Sequence, residues 1–226
     1  MNLDLLEEFL LIALDDDKGQ FVIDSTHLHC GFGGAILLEL ALREKISIEG
    51  DCVRLKDSAY VKEVALNKTL DLLNEKGKEI EVKELINLLA KKAGELKQDT
   101  LQRLMNKGIL KKEEHKILWI IPNNKYPTSD LSPENKVRER LKAVMLNGAK
   151  SEARDIMLLS LIEVSDLTRE AFRDKDDYKQ VKEKIKEVTQ DVKISGAINK
   201  SIREIQAAIM IAITTTMVVT TIASGS

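Results

Sequence analysis

Two nearly uninterrupted apolar segments near the N-terminus constrain this chain most. The first is LDLLEEFLLIALDDDKGQF from Leu3, and the second is GGAILLELALREKISIEGDCVRL from Gly33. A helix with almost no polar face has to be buried in a core. The pattern therefore predicts buried helices over Leu3–Leu14 and Gly33–Arg43. The glycines at 31, 33 and 34 predict that another element approaches the second helix closely.

The composition indicates a folded helical protein. The chain has 226 residues, of which 43% are hydrophobic and 32% charged, and it contains only three prolines. These values favour long helices over disorder or a β-sandwich, and the length allows one domain with a large core or two small ones. We expect a mostly α fold, with a single globular helical domain over residues 1–223 and a disordered tail at 224–226. The domain is expected to have a buried C-terminal helix and two short β-hairpins.

Periodicity and turn residues place the other elements. Alternating residues around Gly50 predict a hairpin of Ile46–Ile48 with Cys52–Leu55. A second hairpin is predicted for Ile109–Leu110 with Ile117–Ile121, around a turn at Lys111–Lys116, followed by a polar loop from Pro122 to Pro133. Further helices are predicted over Tyr60–Lys76, Val82–Leu89, Leu96–Lys107, Glu134–Leu146, Glu152–Val164, Leu167–Arg173, Asp176–Val192 and Ile198–Ile222.

The C-terminal stretch from Ile205 to Ser226 contains no charged residue. Its length is close to the roughly 20 residues that a membrane-spanning helix needs. Five threonines dilute its hydrophobicity, and no basic anchor follows it. A buried core helix is therefore favoured, with a tail anchor as the alternative.

No pattern of residues indicates an enzyme, a metal site or a cofactor. His27, His29 and Cys30 are clustered, but the adjacent pair at 29 and 30 diverges and no further ligand set is evident. We interpret this segment as a loop before a helix. The aspartates at 15–17 lack the spaced ligands of a calcium loop and predict a solvated turn. Phosphate-binding and hydrolase motifs are absent from the sequence.

A helix followed by a hairpin occurs twice, and this order also ends a winged-helix domain. In that reading Gly33–Lys45 or Asp99–Lys107 enters a DNA groove. A recognition helix needs basic residues for phosphate contact, whereas the first candidate carries Glu39 and Glu44 and the whole chain has a net charge of −2. We therefore expect no nucleic-acid partner, although a nucleic-acid binder stays the least favoured alternative.

Local basic and apolar clusters indicate where a membrane or partner could be contacted. Lys91, Lys92, Lys97 and Arg103 are the candidate contacts to a lipid headgroup. The stretch Ile117, Leu118, Trp119, Ile120 is bordered by lysines and holds the one tryptophan of the chain. Tryptophan favours membrane interfaces and binding hot spots, so this stretch is a candidate membrane or oligomer contact. An ordinary strand packed on the core explains the same pattern equally well.

The ordered set of motifs resembles the Golgi phosphoprotein 3 family over most of the chain. The matching stretches are LDLLEEFLLIALDDDKG, GGAILLELALREKISIEG, LMNKGILKKEEHKILWII, VRERLKAVML and ARDIMLLSLIEVSDLTREAF. The resemblance implies one mostly helical domain of a non-enzymatic peripheral membrane protein. It implies binding of phosphatidylinositol 4-phosphate and an adaptor role for the cytoplasmic tails of client membrane proteins. It also implies self-association through the 109–121 hairpin.

The headgroup positions of that family differ here. Ungapped comparison places its tryptophan and its arginines at Asp24, Gly33, Gly94 and Lys97, so Lys97 alone is basic. A phosphate monoester favours several charge-assisted donors, above all arginine. The resemblance therefore implies a degenerate lipid site that binds anionic phospholipid loosely, in a divergent or prokaryotic member.

Cysteine use and the N-terminus bear on localisation. Cys30 and Cys52 form no disulfide framework and fit a reducing cytoplasm. Acidic residues stand where a signal peptide has basic ones, so we expect no export signal. The expectation is a cytoplasmic, peripherally membrane-associated protein, at the Golgi in a eukaryote. A protein-interaction or oligomerisation module without lipid binding is the alternative.

Overall fold

The computed structural model describes residues 2–117, 121–190 and 196–224, with side chains for residues 2–113, 124–187 and 200–216. Within these ranges the helices are α1 Leu5–Ala13, α2 Ser25–Leu42, α3 Val64–Glu75, α4 Val82–Asn106, α5 Ser132–Leu146, α6 Ala153–Val164, α7 Thr168–Ala171, α8 Lys175–Gln190 and α9 Gly196–Ser224. The strands are β1 Ile46–Glu49, β2 Cys52–Leu55, β3 Glu79–Glu81, β4 Glu113–Ile117 and β5 Ile121–Lys125. The mostly α fold expected from the sequence is confirmed.

The two apolar helices form the centre of the core, as the sequence predicts. Every residue of α1 is buried, and α2 is buried from Cys30 to Leu40. α2 packs against α1, α4, α6 and α9. A Cβ atom added at Gly34 would lie 2.4 Å from Ile209 Cδ1, and one added at Gly31 would lie 2.6 Å from Phe9 Cζ. The small residues therefore permit the predicted close approach of neighbouring helices.

The burial of α2 excludes its use as a DNA recognition helix. A recognition helix exposes one face to the base edges and the phosphates of a groove. Here the candidate segment from Gly33 onward is covered on all sides through Leu40. The second candidate segment, in α4, has Arg103 and Lys107 in ion pairs with acidic side chains. The winged-helix alternative therefore has no suitable helix at either position.

The first predicted hairpin is present and belongs to a three-stranded antiparallel sheet. β1 pairs with β2, with Ile46 opposite Leu55, and the turn uses Gly50 at a φ of +65°. β3 adds a third strand, with Ile80 opposite Val53, so the apolar residues share one face of the sheet. This third strand was not predicted from the sequence, because it spans only three residues.

One continuous helix, α4, replaces the two predicted helices Val82–Leu89 and Leu96–Lys107. Gly94 does not break it, because Leu89, Ala93 and Leu96 stay on one buried face on both sides of the glycine. That packing offsets the cost of about 1 kcal/mol that a glycine adds to a helix interior. The helix ends where Gly108 takes a φ of +73°.

The second hairpin is shifted along the chain relative to the prediction. Its strands are β4 and β5, so the predicted turn at Lys111–Lys116 is wrong, and the polar loop predicted from Pro122 begins with a strand. Ile109 and Leu110 are buried instead, because the backbone N–H of Ile109 donates to the Leu104 carbonyl, 3.0 Å away, and turns the chain back onto the core.

The C-terminal helix α9 covers one side of α2, as expected for a core helix. Its buried face carries Ile202, Ile205, Ile209 and Ala212, whereas Met210 is 61% exposed. Among the residues that the structure describes, no helix has the length and apolar character to span a membrane.

Candidate functional site: a cleft between α2 and α4

A cleft of about 280 Å³ opens where the first turns of α2 face the middle of α4. We refer to it as the α2–α4 cleft. Its wall consists of Ser25, Thr26, His29, Cys30, Asn87, Ala90, Lys91 and Thr216. Thr216 belongs to α9, so three helices meet at this cleft. Lys97 stands at its edge, next to His29.

α2 begins at Ser25 because Asp24 caps it. The Asp24 carboxylate accepts hydrogen bonds from the backbone N–H groups of Thr26 (2.8 Å) and His27 (3.2 Å). The interpretation of residues 27–30 as a loop is therefore wrong, because this cap starts the helix eight residues earlier than predicted. The cap also occupies amides that would otherwise face an anion, so an anionic ligand has to be bound mainly by side chains.

Lys97 lies at the edge of the cleft, beside His29. Its Nζ atom lies 3.4 Å from His29 Nε2 and 4.8 Å from the centre of the Phe21 ring. Burial lowers the pKa of Lys97 from its usual value. Within the described ranges, no carboxylate lies at ion-pair distance from this ammonium group. Lys97 is therefore a partly desolvated cation that an anionic group can approach.

His29 supplies a second nitrogen at the same edge of the cleft. Burial, and then the charge of Lys97, lower the pKa of His29 below its ordinary value. The neutral ring can accept a hydrogen bond from the lysine through Nε2. This role of His29 was not predicted from the sequence, because the residue was expected to lie in a loop. The signal available was Asp24 followed by Ser25 and Thr26, which is typical of a helix start.

The other two predicted lysines lie on α4 one to two turns before Lys97. Lys91 is exposed and lines the cleft. Lys92 is exposed on a different face of the helix, where its charge helps to lower the pKa of Glu95, after the larger effects of Lys68. The structure thus brings Lys91, Lys97 and His29 to one cleft and leaves Lys92 at a distance.

Arg103 lies two turns beyond Lys97 in an ion-pair network. Its guanidinium contacts Asp4 at 2.5 Å and Glu7 at 3.2 Å, and Asp99 is 3.5 Å away. These carboxylates, from α4 and the start of α1, use the donors that a phosphate would need. The N–H groups of Arg103 are thus directed to carboxylates. A role for Arg103 in binding a headgroup stays a prediction.

Cys30 is unsuited to nucleophilic chemistry. Burial and the charge of Asp24 raise the pKa of its thiol to about 11, so the thiol is protonated at neutral pH. The described residues contain no group of three or more His, Cys, Asp or Glu arranged to hold a metal ion.

The predicted apolar contact in the second hairpin is only partly within the described residues. Ile117 ends β4 and pairs with Ile121 of β5. Leu118, Trp119 and Ile120 lie outside the described residues. The membrane or oligomer role of this stretch therefore stays a prediction.

The fold and the cleft define a helical protein with a lysine-edged surface site, and comparison with known proteins identifies its class. The family model for Golgi phosphoprotein 3 (GPP34) matches residues 5–205. The chain belongs to this family, as the sequence resemblance predicted.

Two curated relatives carry the same name. Vacuolar protein sorting-associated protein 74 of Eremothecium gossypii is 25% identical over 169 residues, which cover 64% of this chain and 50% of that protein. Its counterpart in Schizosaccharomyces pombe is 25% identical over 166 residues, which cover 64% of this chain and 48% of that protein. This chain therefore aligns with about half the length of the relatives that it matches.

Proposed function

We propose that this chain is a non-enzymatic peripheral membrane adaptor that binds anionic phospholipid loosely through the α2–α4 cleft. Family membership supports an adaptor of membrane traffic, and the relatives are named for vacuolar protein sorting. The observation that carries the lipid proposal is the position of Lys97, half-buried at the cleft edge and, within the described ranges, unpaired with a carboxylate. Phosphatidylinositol 4-phosphate is the headgroup that the family resemblance favours.

The binding is expected to be weak and salt-sensitive. Two lysines offer point charges rather than the paired, forked donors of arginine. Exposed charges are screened over roughly 8–10 Å at physiological ionic strength, so Lys91 loses most of its attraction as salt is added. The cytoplasmic tails of client membrane proteins are the further partners that we propose for the adaptor role.

Replacement of Lys97 by glutamate is expected to reduce liposome binding at least tenfold, because it reverses the charge at the cleft edge. Co-sedimentation with vesicles containing phosphatidylinositol 4-phosphate or phosphatidylserine, at low and moderate salt, measures this effect. Lys91→Glu changes an exposed residue of the same cleft and should give a smaller loss without affecting folding. Lys179→Glu, an exposed residue of α8, is the matched control and should bind like the wild-type chain.

The two lipids separate the outcomes. A preference for the phosphoinositide that Lys97→Glu abolishes supports recognition of its headgroup, and equal binding to both lipids supports general attraction to anionic membranes. Absence of binding to either lipid at low salt overturns the proposal and favours a module that binds only proteins.

We also propose self-association through the second hairpin, formed by β4 and β5, which the sequence analysis placed at 109–121. Replacement of Trp119 by aspartate is expected to convert a concentration-dependent oligomer into a monomer, because a charge in an apolar contact cannot be buried without a partner. Sedimentation velocity over a hundredfold range of concentration measures this change. Leu131→Asp, at an exposed leucine outside the hairpin, is the control. A wild-type chain that is monomeric at every concentration contradicts this part of the proposal.

A further inference from the structure

The arrangement of His29 and Lys97 bears on how the cleft would respond to pH. The two nitrogen atoms lie 3.4 Å apart, and both side chains are partly buried. Two positive charges at this distance repel each other strongly in a partly desolvated site. Without a bound anion, burial and then the charge of Lys97 favour the neutral form of the ring, and Lys97 carries the charge.

An anion changes this balance. A phosphate oxygen placed beside Lys97 also lies close to His29 Nε2, because the two nitrogen atoms are neighbours. An opposite charge within about 4–6 Å favours the protonated form of a histidine by one to three pKa units. Protonation would convert Nε2 from an acceptor into a second charge-assisted donor to the same phosphate. Lys97 and His29 would then both be cationic only when an anion is bound.

We propose that His29 is a proton-coupled headgroup ligand, so that its contribution to the binding of anionic lipid grows as the pH falls from 8 to 5.5. This inference rests on the proposed lipid-binding function of the same cleft. It adds a positive charge to the degenerate site at a position for which the family resemblance indicated none. Membrane association would therefore be regulated by the pH of the surrounding solution.

The other charged and titratable groups around His29 do not supply this coupling. From α4, the side chain of Lys91 lines the same cleft. On α2 itself, the Asp24 carboxylate is directed to His27 and to the first backbone amides, and Cys30 is a protonated thiol. The wall from α9 is the uncharged Thr216, and the residue under Lys97 is Phe21.

The test compares the wild-type chain with His29→Gln, which keeps a polar side chain but cannot gain a proton. Binding to vesicles of phosphatidylcholine with phosphatidylinositol 4-phosphate is measured from pH 8.0 to 5.5 at constant ionic strength. The lipid phosphate titrates in the same range and affects both chains. The informative quantity is therefore the dissociation constant of His29→Gln divided by that of the wild-type chain at each pH. This ratio is expected to be near one at pH 8.0 and to rise as the pH falls. For a shift of one pKa unit its limit is about tenfold, which is reached below the pKa of the ring without lipid.

The possible results distinguish this inference from the proposed function. A ratio that stays constant with pH, while both chains bind, overturns the coupling and leaves lipid binding intact. Failure of both chains to bind at any pH overturns the proposed function and the coupling together. His27→Gln is the matched control, because His27 is turned toward Asp24, and its ratio to the wild-type chain should not change with pH.

A second measurement does not depend on vesicles. Proton NMR of the histidine rings, with and without the soluble glycerophosphoinositol 4-phosphate headgroup, reports the histidine pKa values directly. One resonance, absent from His29→Gln, is expected to titrate at higher pH when the headgroup is added. An unchanged titration at saturating headgroup would contradict the proposal.

Discussion

Replacement of Glu8 by alanine is expected to lower the free energy of unfolding by about 3 kcal/mol, because it removes the buried carboxylate that two partly exposed arginines share. The Glu8 side chain is 3% exposed and lies in the fully buried helix α1. Its Oε1 atom accepts hydrogen bonds from both terminal nitrogens of Arg140, each at 3.1 Å. Arg154 lies 3.4 Å from Oε2. The carboxylate thus joins α1 to α5 and α6.

The remaining partners only partly compensate for this loss. Arg140 keeps its contact with Asp155 at 2.7 Å, and Arg154 keeps a hydrogen bond to the Leu3 carbonyl. Both guanidinium groups nevertheless lose a buried counter-charge, and a cavity replaces the glutamate side chain. An expected loss near 3 kcal/mol, at the low end for broken buried pairs, reflects these remaining contacts.

Urea denaturation of the wild-type chain and Glu8→Ala measures the effect. Glu75→Ala removes an exposed glutamate at the end of α3 and should change stability by less than about 0.5 kcal/mol. Glu8→Gln keeps the shape of the side chain and should fall between the two. A Glu8→Ala chain as stable as Glu75→Ala would show that the pair contributes nothing to the fold.

The Glu8 network shows which part of the fold is accessible from sequence. The burial of α1 follows from its apolar residues, because they leave too little polar surface for an exposed helix. The sequence did not predict which cations pair with the buried carboxylate of Glu8. Arg140 and Arg154 lie 132 and 146 residues further along the chain. Only the packing of α5 and α6 on α1 brings these residues together.

Local sequence signals such as glycine predicted helix ends better than they predicted which residues meet in the candidate site. The helices predicted over Tyr60–Lys76 and Leu96–Lys107 stop directly before Gly77 and Gly108, which have φ values of +86° and +73°. Gly94, a residue of the same type, lies inside α4, because buried neighbours on one face of the helix outweigh local propensity. Lys97 was predicted from the family resemblance, whereas its contact with His29 joins residues 68 positions apart. Such a contact depends on how two helices cross, which periodicity does not report.

A second buried carboxyl group, at Glu134 in the first turn of α5, is expected to make stability depend on pH near neutrality. Its side chain is 1% exposed. Arg138 Nε donates to Oε1 at 2.8 Å, but Oε2 finds no hydrogen-bond donor in the described part of the chain. Burial raises the pKa of Glu134 to about 7, although Arg138 opposes this, and the nearby Asp16 carboxylate raises it further. When Glu134 is protonated, its O–H group can donate a hydrogen bond to the Asp16 carboxylate. Without that proton neither carboxylate has a hydrogen to donate to the other.

The proton is held by Glu134 rather than by Asp16. Burial disfavours the charge on Asp16, but its hydrogen bonds with Arg173 and Glu134 hold its pKa below the usual value. The folded chain therefore binds a proton at Glu134 between pH 4.5 and about 7, where the unfolded chain does not. Stability from this group is fully present below pH 4.5 and is lost as the pH rises through 7. The shift corresponds to about 3 kcal/mol over that range.

Glu134→Gln mimics the protonated side chain, since its amide can donate toward Asp16 while its carbonyl accepts from Arg138. Relative to this variant, the wild-type chain is expected to lose about 1.4 kcal/mol of unfolding free energy per pH unit as the pH rises from about 5 to 7. The difference should level off above about pH 7.5. The raised pKa of Glu8 and the lowered pKa of His29 act in both chains and cancel. Urea denaturation at half-unit pH steps measures the difference, with the exposed Glu139→Gln on the same helix as control. Parallel stability curves for the wild-type chain and Glu134→Gln would mean that Glu134 is ionised throughout this range.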